Sequence, residues 1–95
     1  MRVIGYIEHP TLKITVFETD TRYPVQFEIV GYAQIYRFRR GDQLAGLGDI
    51  KKLIDSEFCN HVAAEMLRMR QGENKLWQRF EAKYPNEEDE LPSII

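Results

Sequence analysis

The stretch "LKITVFETDTRYPVQFEIV", Leu12 to Val30, decides the fold. On both sides of "TDTR" its apolar residues recur at every second position, the period of a half-buried strand. Val, Ile, Thr, Tyr and Phe dominate, which favours strand over helix. With a turn at Asp20 and Thr21, Val16 falls opposite Val25, Ile14 opposite Phe27 and Leu12 opposite Ile29, while Lys13 meets Glu28 on the other side. A slip of one residue would invert every side chain, so agreement of both faces fixes this register.

The same period extends outward in both directions, as "RVIGYIE" before and "YAQIYRFR" after. A turn at Pro10 and Thr11 sets Ile7 opposite Ile14 and Glu8 opposite Lys13. One at Val30 and Gly31 sets Tyr36 opposite Val25, Gln34 opposite Phe27 and Tyr32 opposite Ile29. A parallel crossover needs about a dozen residues, and no connection here is that long, so the four strands form an antiparallel up-and-down meander.

One face then collects Val3, Gly5, Ile7, Leu12, Ile14, Val16, Val25, Phe27, Ile29, Tyr32 and Tyr36 and has to be covered. The other collects Glu8, Lys13, Thr15, Gln26, Glu28 and Arg37. Arg37 and Arg39 alternate with Tyr36 and Phe38 because of the pleat. This wet face is not wholly polar: Ile4, Tyr6, Phe17 and Ile35 also point to it, close together across neighbouring strands.

After "RGDQLAGLG" the period becomes helical. Asp49 is the expected N-cap, and Ile50, Leu53, Ile54, Phe58, Val62, Met66 and Met69 follow at steps of three and four, a stripe that covers the sheet. Gly72 interrupts the pattern, which resumes with Leu76, Trp77, Phe80 and Tyr84 before Pro85 ends it. One helix over residues 50–84 would be about 52 Å long, against roughly 20–27 Å for the strands, so its second half overhangs or folds back. The expected fold is an α+β domain over residues 1–84: a four-stranded antiparallel meander, one face covered by a C-terminal helix bent or broken near Gly72. Residues 85–95, "PNEEDELPSII", form an acidic tail with an apolar tip, mobile by composition.

At "MRVIGYIEHPTLKITVF" the chain resembles a family of short uncharacterised bacterial proteins that open with a Val-Ile-Gly strand, a His-Pro turn and a Lys-Ile-Thr strand. The resemblance covers about the first 60 residues and implies an antiparallel sheet followed by helix, with no activity attached.

Composition narrows the function classes. With 43% apolar and 29% charged residues the chain has the make-up of a soluble globular domain. A single cysteine, Cys59, excludes an intrachain disulfide and an all-cysteine zinc site, and fits a reducing compartment. No apolar run suits a signal-peptide core or a membrane span, so a cytoplasmic protein is expected. That address argues against reading Arg40, Gly41 and Asp42 as an adhesion signal. Glu87–Glu90 hold four of the 15 acidic groups, so the first 86 residues carry 13 basic against 11 acidic groups and net +2. That is far from the strongly basic balance that drives phosphate-backbone binding.

The chemical motifs are weak. Glu57, His61 and Glu65 share a helix flank at steps of four, but without an HExxH motif they read as a solvated flank, and no metal is expected. Cys59, beside Phe58, reads as a small packed hydrophobe. In "AGLGD" the acid at Asp49 would repel a phosphate at the helix start. No cofactor and no enzyme activity are expected. Nucleic acid is the alternative reading, with Arg37, Arg39 and Arg40 as contacts, Arg2 and Lys13 beside them, and Tyr6 and Phe17 as stacking platforms; Glu8 and Glu28 weaken its field. A second basic set, Lys75, Arg79 and Lys83, flanks the last helical segment. The reading that gathers most features is a small protein-interaction module that self-associates as a homodimer. Its candidate interface is Ile4, Tyr6, Phe17 and Ile35 on the sheet, with Leu76, Trp77, Phe80 and Tyr84 on the helix.

Overall fold

The computed structural model describes residues 1–85; the acidic run and apolar tip of the expected tail lie outside them. Four strands, β1 (Arg2–Ile7), β2 (Lys13–Glu18), β3 (Arg22–Ile29) and β4 (Tyr32–Arg39), are followed by α1 (Leu47–Leu53) and α2 (Ser56–Lys83). The sheet order is β1-β2-β3-β4 and every neighbouring pair is antiparallel, so the meander is as expected.

Each hairpin is closed by local chemistry. The His9 imidazole accepts from the backbone N–H of Thr11 at 3.2 Å and of Leu12 at 3.0 Å. The Thr19 hydroxyl accepts from the Arg22 N–H at 2.9 Å, and Thr19 N–H donates to the Arg22 carbonyl at 2.9 Å. Gly31 takes φ 87°, a left-handed geometry that glycine enters without steric cost.

The β2–β3 register pairs Ile14 with Phe27, Val16 with Val25 and Lys13 with Glu28; β3–β4 pairs Val25 with Tyr36, Phe27 with Gln34 and Ile29 with Tyr32, all as the alternation requires. Pro24 fits inside β3 because the β2–β3 ladder stops at Val16 and Val25. Its missing N–H falls on that side, the direction in which the Arg22 N–H points.

One departure lies in β1. Val3 pairs with Phe17 and Gly5 with Val16, so Ile4 is the extra residue of a bulge. Ile4, expected on the wet face, instead packs against the core, and Val3, expected in the core, is exposed. Gly5 keeps its inward position for a steric reason. A Cβ there would stand 2.4 Å from Leu47 Cδ2, so a larger residue would force the Leu47 side chain to shift where α1 closes on β1.

The core joins Leu12, Ile14, Val16, Tyr23, Val25 and Phe27 of the sheet side to Ile50 and Ile54 at α1 and to Cys59, Val62 and Met66 of α2. Burial of the Cys59 thiol, helped by the nearby Asp55 charge, raises its pKa. Phe58 joins the two layers, its ring centroid 5.7 Å from Phe27 and 5.1 Å from Tyr36.

The helical region breaks elsewhere than expected. Asp49 is not an N-cap: it sits in the first turn of α1, where its Oδ2 accepts from the Ala45 N–H at 2.9 Å. The break falls at Ile54 and Asp55, and Asp55 caps α2 by accepting from the Phe58 N–H at 2.8 Å. From there α2 runs 28 residues as one helix, unbroken through Gly72. A lone glycine costs a helix only about 1 kcal/mol, and the space where a Gly72 side chain would stand is open.

Candidate interaction site

α2 is about 42 Å long, well beyond the reach of eight-residue strands. Its first half is seated on the sheet by Cys59, Val62 and Met66. Two side chains of β4, Gln34 and Tyr32, make polar contacts with it. Gln34 Nε2 donates to the Val62 carbonyl at 3.0 Å and Gln34 Oε1 accepts from the Tyr36 hydroxyl at 2.7 Å. Farther along, the Tyr32 hydroxyl donates to the Glu73 carboxylate at the end of the hairpin. That bond, then desolvation and the Glu73 charge, raise the Tyr32 pKa, with Arg70 opposing.

Beyond Glu73 the helix has nothing beneath it among the described residues. Phe80 stands about five turns after Val62 and so on nearly the same bearing; Leu76 and Tyr84 lie within about 40° of it and Trp77 at about 60°. The face that seats α2 on the sheet thus continues past the sheet as an apolar stripe. Leu76, Trp77, Phe80 and Tyr84 are each 49–56% exposed. They are ordered against one another: Trp77 and Phe80 ring centroids are 5.6 Å apart, edge to face, and Phe80 and Tyr84 are 5.4 Å apart. Where α2 leaves the sheet, a groove of about 520 Å³ opens between Ile29, Val30 and Tyr32 on one side and Ala63, Met66, Leu67 and Arg70 on the other. All four expected helix residues are therefore brought together on one free face.

The expected sheet patch is smaller. Tyr6 and Ile35 are exposed and lie on one line across the strands, Tyr6 opposite Thr15, Thr15 opposite Gln26 and Gln26 opposite Ile35. Thr15, in the middle of that line, is buried. Phe17 is half-buried and its neighbour is Val3, while Ile4 is removed by the bulge. Sequence reasoning missed Val3, although the glycine inside "VIGYI" was a sign that the strand deforms there.

The basic residues of the sheet are dispersed. Arg2 and Arg40 both reach Glu18, at 2.9 and 3.6 Å; Arg40 also donates to the Thr19 carbonyl at 2.8 Å and stands over the Tyr23 ring. Arg37 and Arg39 are exposed, opposite Pro24 and Arg22, and Lys13 is opposite Glu28. Of the helix-flank set, His61 stacks on Phe58 and Glu65 pairs with Arg68; among the described residues no group of three His, Cys, Asp or Glu side chains is placed to hold a metal ion. No described helix is long and apolar enough to cross a membrane. No family model, curated protein or solved structure matches the chain.

Proposed function

We propose that this chain is a non-enzymatic interaction module of the cytosol that self-associates as a homodimer through the free face of α2. The observation that carries this reading is the continuation of the core-facing stripe past the sheet, with Leu76, Trp77, Phe80 and Tyr84 uncovered. Three aromatic anchors in a row are the composition of contact centres, where Trp and Tyr dominate binding energy. A second copy, packed antiparallel, supplies the same four side chains in reverse order and meets the self-complementarity that a two-fold contact requires.

The area sets the strength. Half-exposed aromatic and aliphatic side chains offer about 100 Å² each, so pairing the stripes removes roughly 800 Å² in total. That is below the ~1,200–2,000 Å² of stable complexes, so the dimer is a dynamic one with micromolar affinity unless the groove at the base of the overhang is also filled. Sedimentation equilibrium across the micromolar range tests this: the wild-type mass rises towards twice the chain mass, and Phe80→Glu holds it at one. A strict monomer at high micromolar concentration refutes the proposal. Nucleic-acid binding by Arg37, Arg39 and Arg40 is the weaker reading, because Glu18 offsets Arg40 and Arg2, and the exposed sheet aromatics reduce to Tyr6.

A further inference from the structure

Arg22 and Arg39 stand directly opposite each other in the β3–β4 ladder. The neighbouring hydrogen bond, from Arg40 N–H to the Thr21 carbonyl at 3.0 Å, makes theirs a non-hydrogen-bonded position, where side chains approach most closely. Like charges so placed are destabilising. Ordinarily a carboxylate on an adjacent strand relieves such a pair. Here the ion pairs among the described residues involve Arg2, Arg40 and Arg68, and none reaches Arg22 or Arg39. Arg22 and Arg39 line a cleft of about 500 Å³ whose other walls are Asp20, Thr21 and Arg40. Glu18 pairs with Arg40, so the excess positive charge of the lining rests on Arg22 and Arg39, with Asp20 the one carboxylate in the cleft wall. Arg22 is half-buried and Arg40 is already tethered by Glu18 and the Thr19 carbonyl, so part of the set is held in place before any ligand arrives.

We infer that this cleft at the end of the β3–β4 ladder binds a dianionic phosphate group, inorganic phosphate or a small phosphate monoester, between Arg22 and Arg39. A dianion answers the two guanidinium groups that no ion pair among the described residues reaches, and its oxygens suit their planar donor forks, which grip phosphate in pairs of parallel hydrogen bonds. The Thr21 hydroxyl, at the turn, adds a neutral donor. Bound phosphate converts a repulsive cross-strand pair into a bridged one and so stabilises the sheet at this rung. This site lies on the sheet, apart from the α2 stripe, and is independent of self-association.

The test uses the full chain, titrated with inorganic phosphate and with methyl phosphate while potassium chloride holds ionic strength constant, and followed by backbone amide NMR and thermal midpoint. The expected result is saturable shifts at Thr21, Arg22, Arg39 and Arg40 and a rise in midpoint beyond the chloride control. If only inorganic phosphate acts, the ligand is the free ion; if methyl phosphate acts as well, the site takes esters. Dimethyl phosphate, a monoanionic mimic of the nucleic-acid backbone, binds about tenfold or more weaker, the loss of about one charge-assisted contact. The decisive variant is Arg39→Gln. It is expected to raise the midpoint in chloride, because the repulsion is gone, and to lose the phosphate response about tenfold or more. The inference is overturned by shifts that do not saturate, by equal effects of chloride and phosphate, by equal affinity for the diester, or by an Arg39→Gln variant that keeps the wild-type response.

Discussion

The Tyr32 hydroxyl and the Glu73 carboxylate form the last contact between sheet and helix before α2 runs free. Because the folded-state pKa of Tyr32 is raised above its ordinary value of 10.0, chiefly by this bond, the contribution is fully present below pH 10 and is lost as pH rises through the folded value. Alkaline titration of stability should therefore show a loss above pH 10 that Tyr32→Phe removes. An unchanged alkaline limb in that variant would take the bond out of the account. Gly5 is the second residue on which the packing turns. Gly5→Ala drives a methyl into the Leu47 side chain and should cost about 1–2 kcal/mol in urea unfolding, much of it recovered in a Leu47→Ala background. Equal costs in both backgrounds would mean that the α1–β1 approach does not set the requirement.

At the scale of elements, the alternation over residues 2–39 is enough to read the β2–β3 and β3–β4 hairpins in register, and β1–β2 from Ile7 back to Gly5, because short turns leave each strand one partner and parity leaves it one alignment. What escaped was local. The bulge turns Ile4 inward beside Gly5, against which Leu47 of α1 packs, and α1 lies more than forty residues away in sequence. The helix break was misplaced because Gly72 is the stronger sequence punctuation, whereas Asp55, an ordinary residue within the stripe, supplies the cap that allows a fresh start. All four helix members of the candidate interface could be read from their spacing; three of the four sheet members kept their face. The Arg22–Arg39 juxtaposition was hidden because Arg22 falls in the turn segment when only alternation is followed. A continuous α2 has a measurable consequence. Gly72→Ala removes a flexible residue from an exposed helix interior with open space around it and should stabilise the protein by about 0.5–1 kcal/mol. A loss of stability on that substitution would show that Gly72 serves a bend after all.

The whole molecule is shaped by what its sheet cannot cover. A compact chain of this length has a radius of gyration near 12–13 Å; this one has 19.4 Å, with extents of 65 × 27 × 22 Å, because α2 carries its apolar face beyond the sheet end. A helix that exposes a row of aromatics on the side continuous with its own core leaves apolar surface in water, the mark of a surface that is covered in use. Under the self-association proposed above, the sheet is the base of the molecule and the overhang the part that meets a partner. Trp77, the only tryptophan, sits in that row and reports on it directly. The most direct measurement is the emission of Trp77 as the full-length protein is concentrated through the micromolar range, with light scattering on the same samples. The account requires a blue shift that follows the rise in mass and is absent in Phe80→Glu; a solvent-exposed spectrum and a single-chain mass at every concentration would contradict it.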